Sequence, residues 1–460
     1  MRLALGFLFS LALAAQPFAL LPANPHYFLF RGKPTVLVTS GEHYGAVLNT
    51  RFDFRKYLDT LAADGLNHTR IFTGLYREVP GSFNIARNTL APEAADFLSP
   101  FVRDAAGVYD LNSWNAAYFA RLKDFLTEAG KRGIVVEICL TTTHYNETHW
   151  KLTPWQNNRN GVGKGLLHTD PWTLKDAALQ KVMDAFIAKL AAELATFDNF
   201  YFEICNEPYI SGPTLEWQRH MAKTIRAADG GRHLISQNIA NHEQTITAPD
   251  ANVSIFNFHY ARPPRAVAQN YSLARPIGMN ETGFDGSDDA VYRIQAWDFL
   301  VAGGGLYNNL DYSFAVGYED GTFQPPASTP GGGSAALRKQ LGFLKRVLEE
   351  VNLAQAQPLE GASSHGRCLG QAGVEYLCYA HYGELRNAYR PRYAVETAKK
   401  TVTWRMQAPD GRYLAVWLDP KTGKELGRAE WTAGAPLVTP EHSEDIVLTL
   451  RSYSAARTSL

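Results

Sequence analysis

Two glutamates carry the chemistry that this sequence can do. Glu207 closes the run Tyr201-Phe202-Glu203-Ile204-Cys205-Asn206-Glu207-Pro208, and Glu281 closes Arg275-Pro276-Ile277-Gly278-Met279-Asn280-Glu281-Thr282-Gly283. Tyr, Phe and Ile suit a buried strand, and Pro208 has no N–H to offer a ladder, so the first strand stops there. Burying a carboxylate without a partner is costly, so an apolar strand that delivers an acid at its carboxyl end needs a cation nearby or a task. Two such acids about 5–5.5 Å apart suit glycoside hydrolysis with retention, one as acid/base and the other as nucleophile. Their proximity sets their protonation: with Glu281 ionised, its charge is expected to keep a proton on Glu207.

Such acids need elements that place them face to face. Apolar runs recur at 35–41, 67–72, 133–140, 201–207, 233–238, 253–260, 277–281 and 306–311. Stretches of helical period separate most of them, at 52–64, 116–131, 174–194, 215–228, 288–302 and 335–351, with little helix before 253. Strands alternating with helices imply a parallel sheet, and eight strands without polar alternation imply a closed (β/α)8 TIM barrel. An open doubly wound sheet would want a Gly-rich turn after its first strand, and Thr39-Ser40-Gly41-Glu42 is not one. The glutamates then end the fourth and seventh strands and meet across the ring. Beyond residue 355 the texture changes to strand-period runs, 374–379 and 413–418, with turns at Ala408-Pro409-Asp410-Gly411 and Asp419-Pro420-Lys421-Thr422-Gly423. The predicted organisation is a catalytic barrel over 24–352 and a small antiparallel β-sandwich domain over 355–460, packed closely together.

Composition narrows the setting. The 460 residues hold 45 basic and 45 acidic side chains, so no basic field gathers nucleic acid. Residues 1–15 pair a single positive charge with an apolar centre and small residues at Ala12 and Ala14, the pattern of a removable signal peptide. A secreted or periplasmic protein, with no membrane segment after signal removal and monomeric, is the expectation. Four cysteines remain. Cys139 and Cys205 fall in buried strands, while Cys368 and Cys378 flank a turn at 370–373, where an exported hairpin permits but does not fix a disulfide. The histidines lack HxH or HExxH spacing, so no metal and no other cofactor is expected.

Asn206-Glu207-Pro208 in the fourth strand, with a second glutamate three strands later, resembles the clan A glycoside hydrolases. The similarity is greatest to family 5 (cellulase-like) and its neighbours that carry a β domain after the barrel, and it covers roughly residues 27–352. The resemblance implies that Glu207 is the acid/base, Glu281 the nucleophile and Asn206 the partner of the sugar hydroxyl beside the reacting carbon. It also implies that Arg70 holds Glu281 ionised and oriented. The family shows His and Tyr at the end of the sixth strand. Here His259 and Tyr260 are adjacent, so they point to opposite sides unless a bulge intervenes. The eighth strand lacks the family's Trp platform, and Tyr312 is the substitute. His43, His144, Glu42 and Tyr145 follow strand ends and can reach sugar hydroxyls. Trp150, Trp155 and Trp172 are open to stacking on sugars or to packing in the loop.

The resulting expectation is an exported retaining β-glycosidase acting on a β-linked glycan. Two alternatives keep the scaffold: a carbohydrate-binding barrel without turnover, which the presence of both glutamates disfavours, and a transglycosylase. For the C-terminal domain, bracing the barrel is favoured over binding polysaccharide.

Overall fold

The computed structural model describes residues 16–386 and 392–453; the signal peptide read over 1–15 lies outside the described residues. Eight strands build the central sheet: β1 (Leu37–Gly41), β2 (His68–Phe72), β3 (Val135–Cys139), β4 (Phe200–Glu203), β5 (Ile235–Asn241), β6 (Ile255–His259), β7 (Ile277–Glu281) and β8 (Leu306–Leu310). They are parallel, in the order β1-β8-β7-β6-β5-β4-β3-β2. Asn67 closes the ring between β2 and β1. Its backbone N–H donates to the Val38 carbonyl at 3.3 Å, and its side chain accepts from Val38 N–H and donates to the Val36 carbonyl, both at 2.9 Å. One amide thus stands in for a ladder where strand twist pulls the two edges apart.

Most strands are buried throughout, because helices cover their outer faces and side chains fill the ring. Six helices follow the predicted alternation: Phe54–Ala63, Ala116–Lys131, Ala177–Leu194, Leu215–Ala228, Asp289–Val301 and Ala335–Glu349. Asp53, Asn115, Asp176, Thr214, Asp288 and Ser334 cap their N-termini by accepting backbone N–H groups. No helix joins β5 to β6, and only the short helix Arg265–Asn270 and a 3-10 turn at Tyr271–Leu273 lie between β6 and β7. The floor of the barrel is plugged by Phe18 and Phe28, which pack against Leu37, Val135, Tyr201, Ile255 and Leu306 at the strand starts. A hairpin whose two-residue turn, Arg31-Gly32, takes positive φ at both positions presents Phe28.

The C-terminal region is a six-stranded antiparallel sheet in the order 357–358, 367–371, 375–381, 445–452, 412–418 and 425–432. One face buries Trp404, Trp417 and Trp431 in a core of its own, beneath a thin second layer made by the pairing of Thr403–Trp404 with Leu437–Val438. From the other face Leu369, Leu377, Tyr379 and Val447 join the barrel core. The three tryptophans are packing residues. Helix Asp289–Val301 is buried all round because the barrel covers one side and this sheet the other. Cys368 and Cys378 are directly opposed in the ladder and joined by a disulfide.

Candidate active site

Most of the strand ends converge on a cavity of about 400 Å³ at the carboxyl face of the barrel, with Tyr44, Asn206, Glu207, Tyr260 and Glu281 in its lining. A carboxylate oxygen of Glu207, one of Glu281 and a ring nitrogen of His259 all lie within 4.8 Å of one another. Both glutamates are largely buried, each with 8% of its side chain exposed.

Backbone conformation brings neighbouring residues to the same side. Glu207 has φ of 47° and Tyr260 of 52°, in the left-handed region that costs a non-glycine residue about 1–2 kcal/mol. Strand alternation would send Asn206 and Glu207 to opposite faces, yet both line the cavity. At the end of β6 the register against β7 shifts between Asn257 and His259. That irregularity, with the turn at Tyr260, lets the two adjacent residues both reach the acids. His259 Nδ1 lies 3.2 Å from Glu207 Oε1 and 3.5 Å from Glu281 Oε1, while Tyr260 donates its hydroxyl to Glu281 Oε1 at 2.9 Å. Local strain gathered at one cavity is the mark of a site whose geometry the rest of the fold imposes.

The surroundings of the two acids differ. Glu281 accepts from Arg70 Nη1 and from the Tyr44 hydroxyl at 3.1 Å each, besides Tyr260. Burial alone would push its carboxyl up, but His259, Arg70, the Tyr260 hydroxyl and His43 outweigh it and hold the group below the usual carboxylate range. Glu207 instead accepts from the Tyr145 hydroxyl at 2.6 Å and lies against His259. Tyr145 in turn accepts from Asn206 Nδ2 at 3.0 Å, whose other contact is Thr142 Oγ1 at 3.1 Å.

Arg70 anchors this arrangement from below. Fully buried, it forks onto Glu203, donates to Asn206 Oδ1 at 2.7 Å and reaches Glu281, with Tyr44 stacked 4.6 Å from its guanidinium. One guanidinium cannot neutralise every acid around it. The carboxyl of Glu137, 3.8 Å from Arg70 Nε, is pushed up to about 8 by burial and by the charge of Glu203. Ser236, Asn257 and Asn280 donate to its Oε1.

Among the residues predicted from sequence, Glu207, Glu281, Asn206, Tyr260 and His43 line the cavity, with Tyr145 beside them. Arg70 and His259 are fully buried beneath the cavity and touch the acids, so they act on groups that line it. Three expectations need correction: His144, Tyr312 and Glu42 do not line the cavity. His144 is buried among Trp150, Trp172 and Tyr76 and takes no part in the lining, because the loop after β3 folds inward on its aromatic residues. Tyr312 is 2% exposed and packs behind His43 and Phe284; the accessible ring there is Phe284, 40% exposed. Trp150, Trp155 and Trp172 are buried, the packing one of their two readings, and Glu42 accepts from Gly45 N–H, Ala46 N–H and Thr89 Oγ1, a brace for the turn after β1. Sequence reasoning missed Tyr44, Glu78, Glu137 and Glu203. The signal for Glu203 was present, since a strand carrying Arg70 into a barrel interior requires a buried carboxylate opposite it.

The family model for cellulases of glycosyl hydrolase family 5 matches residues 33–285, more than half of the chain. The chain belongs to glycosyl hydrolase family 5. The match spans β1 to the loop after β7 and so includes both glutamates. Among solved structures, a protein assigned as a glycoside hydrolase in Bacteroides vulgatus ATCC 8482 superposes with a TM-score of 0.66 at 15% identity, covering 95% of this chain and 82% of that one. A family 5 glycoside hydrolase from the same organism gives 0.62 at 13% identity over 95% and 94%. A family 5 mannosidase from Rhizomucor miehei, solved as a point mutant, gives 0.52 at 11% identity over 74% and 100%. At such identities these likenesses speak for the fold. No curated protein sequence matches the chain. Family 5 membership makes glycosidase chemistry, and a carbohydrate as substrate, the activity class.

Proposed function

We propose that this family 5 protein is an exported retaining β-glycosidase that works by double displacement. The observation that carries the reading is the asymmetry of two acids whose oxygens lie within 4.8 Å: Glu281 gathers a guanidinium and two hydroxyls, Glu207 a single hydroxyl and a shared imidazole. Glu281, held ionised, attacks the anomeric carbon. As the new carbon–oxygen bond forms, the glycosidic bond breaks and Glu207 gives its proton to the departing oxygen. Glu207, now a carboxylate, takes a proton from water, which attacks the same carbon and releases Glu281 with net retention. Asn206, oriented by Arg70 and Thr142, meets the neighbouring sugar hydroxyl when its contact with Tyr145 gives way.

Azide tests these roles through stereochemistry. In Glu281→Ala, turnover of a β-glycoside is expected to fall to near zero. Added azide then fills the vacated space, attacks opposite the leaving group and yields the α-glycosyl azide. In Glu207→Ala, substrates with good leaving groups still form the glycosyl-enzyme, and azide attacks it from the other face to give the β-glycosyl azide. Undiminished activity in Glu281→Ala would assign the nucleophile elsewhere. Sugar transfer in place of hydrolysis would appear as longer products when acceptor sugars are added.

A further inference from the structure

The rim of the mouth is not uniform. On the side facing away from Glu207, the loops after β7, β8 and β2 are joined to one another. Gly286 and Gly331 form a bridge between the β7 and β8 loops, and the Gly286 N–H donates to the Pro330 carbonyl at 3.3 Å. From the β2 loop, Asn84 Nδ2 donates to the Ser328 carbonyl, and the Arg87 guanidinium lies 5.2 Å and 5.4 Å from the rings of Tyr318 and Phe323. Since β8, β1 and β2 are neighbours, these last links pass over β1. Phe83, Asn84 and Arg87 all take positive φ, a conformation kept only where anchors over-determine the loop. A second cavity of about 550 Å³, lined by Arg87, Asn88 and Tyr318 among others, shares no lining residue with the first, so the joined loops stand between the two as a wall.

Two polar side chains face the first cavity from this wall. Glu78 is buried, accepts from the Tyr76 hydroxyl at 3.1 Å and from Asn88 Nδ2, and lines the cavity beside His43. His43 Nε2 stands 3.6 Å from Glu78 Oε1, an ion-pair distance beyond hydrogen-bond reach, and neither of its buried ring nitrogens makes a hydrogen bond. A buried imidazole left unsatisfied beside a carboxylate with spare lone pairs offers both donor and acceptor to a ligand that carries vicinal hydroxyls. On the Glu207 side Ile210, three residues after the acid, lines the cavity and is 47% exposed.

Direction follows from chemistry, given the retaining reading above. The proton donor must reach the departing oxygen, so the leaving group lies toward Glu207 and the sugar under attack lies over Glu281. Further sugars on its non-reducing side would run toward β8, β1 and β2. We infer that the wall, with His43 and Glu78 on its inner surface, ends the site after one sugar, so the enzyme removes single units from non-reducing ends of β-linked glycans and glycosides.

The test uses the full-length protein on β-1,4-linked gluco-, manno- and galacto-hexaoses tagged at the reducing end with 2-aminobenzamide, together with the matching p-nitrophenyl β-glycosides. Early products are read by chromatography beside a Glu281→Ala control. The expected result is free monosaccharide together with the tagged pentaose from whichever hexaose is accepted, and turnover of the corresponding monoglycoside. Release of di- or trisaccharides at early times, with turnover still dependent on Glu281, overturns the dead-end pocket and leaves the glycosidase reading standing. Absence of Glu281-dependent turnover across the whole panel overturns that reading, and the pocket with it. On the accepted monoglycoside, Glu78→Gln is expected to raise KM about tenfold or more with kcat within about threefold, as loss of charged hydrogen bonds to a bound sugar predicts. His43→Asn supplies a second reading through KM alone if Glu78→Gln fails to fold, because His43 also helps to hold Glu281 ionised and its kcat is expected to fall. An unchanged KM in a folded variant overturns their role.

Discussion

Two buried arginines, one under the mouth of the barrel and one in its seam with the C-terminal sheet, put the same physical device to different ends. Arg70 is enclosed by Glu203, Asn206 and Glu281; Arg293, 1% exposed at its side chain, forks onto Asp445, reaches Glu444 and donates to Gln340. Each guanidinium is satisfied by carboxylates, as burial demands. At the seam every acid is taken up by structural partners: Asp445 also accepts from the Tyr379 hydroxyl, and Glu444 from Lys421. Under the mouth, one of the paired acids borders a cavity and retains capacity for a reacting carbon. What separates a brace from a reaction centre is therefore an open direction on one carboxylate, while the charge pairing is common to both.

The largest expected effect breaks the first network. Arg70→Met keeps the bulk and removes the charge that holds Glu281 ionised and Asn206 oriented. A loss in kcat/KM of roughly 10³-fold is expected, the scale seen when a preorganised charge-stabilising group is deleted. The matched change at the seam, Arg293→Met, leaves Asp445 buried without its cation and is expected to cost about 3–5 kcal/mol in stability. Thermal melting should register it as a fall of roughly 5–10 °C, while kcat/KM at 25 °C stays unchanged. Activity lost in step with stability in the seam variant would mean that the C-terminal sheet shapes the mouth, and would dissolve the contrast.

A smaller change sharpens the account of Glu281. Tyr260→Phe removes one donor to the nucleophile, a charged hydrogen bond whose loss corresponds to about 10–100-fold in kcat/KM. It should also alter the pH profile. Glu281 works as the carboxylate and sits below the ordinary range, so activity rises with pH through that depressed value. Without the Tyr260 hydroxyl the carboxyl titrates higher, and the acid limb of kcat/KM moves to higher pH. Stability follows the same sign. A depressed carboxyl stabilises the fold above its unfolded pKa and loses that contribution as pH falls through its folded value, so the variant should melt earlier than wild type near neutral pH and lose less on acidification. An acid limb that stays in place would mean that His259 and Arg70 hold Glu281 without Tyr260.

Much of this was legible in the chain itself. Eight apolar runs and their helices placed Glu207 and Glu281 at the carboxyl ends of β4 and β7, because burial on both faces leaves a pattern that survives any arrangement of the loops. The departures came where backbone conformation or tertiary packing decides. Nothing in Asn257-Phe258-His259-Tyr260 announces a register shift, so only the fold reveals that both His259 and Tyr260 reach the acids. His144 follows a strand end like His43, yet one packs among tryptophans and the other faces the cavity, since loops after β3 and β1 bury different surfaces. Glu137 and Glu203 read as strand residues until Arg70 is known to lie inside the ring. Phe284 takes the exposed position foreseen for Tyr312 because Gly331, against which the Tyr312 ring packs so closely that a Cβ would clash, lets that ring sink behind the wall.

The smallest effect lies at the seam and isolates it from the mouth. Cys368 and Cys378 join neighbouring strands of the C-terminal sheet, and the residue beside each contacts helix Asp289–Val301: Arg367 donates to Asp298 at 2.7 Å, and Tyr379 stacks on Trp297 at 5.4 Å. The bridge spans ten residues of sequence. In the chain-entropy account, closing so short a loop restricts the unfolded chain by about 2–3 kcal/mol, and the hairpin ladder already fixes the register in the folded state. Cys368→Ala with Cys378→Ala should therefore lower the melting temperature by roughly 3–6 °C and leave kcat/KM and its pH profile untouched. Wild type melted with reductant gives the same bridge loss without deleting the two buried sulfur atoms, so agreement between the two measurements assigns the effect to the crosslink and a larger fall in the double variant assigns the excess to packing. A shift in the pH profile of either sample would connect the sheet to Glu281 through helix Asp289–Val301, and the seam would then be part of the machinery that Arg70 serves.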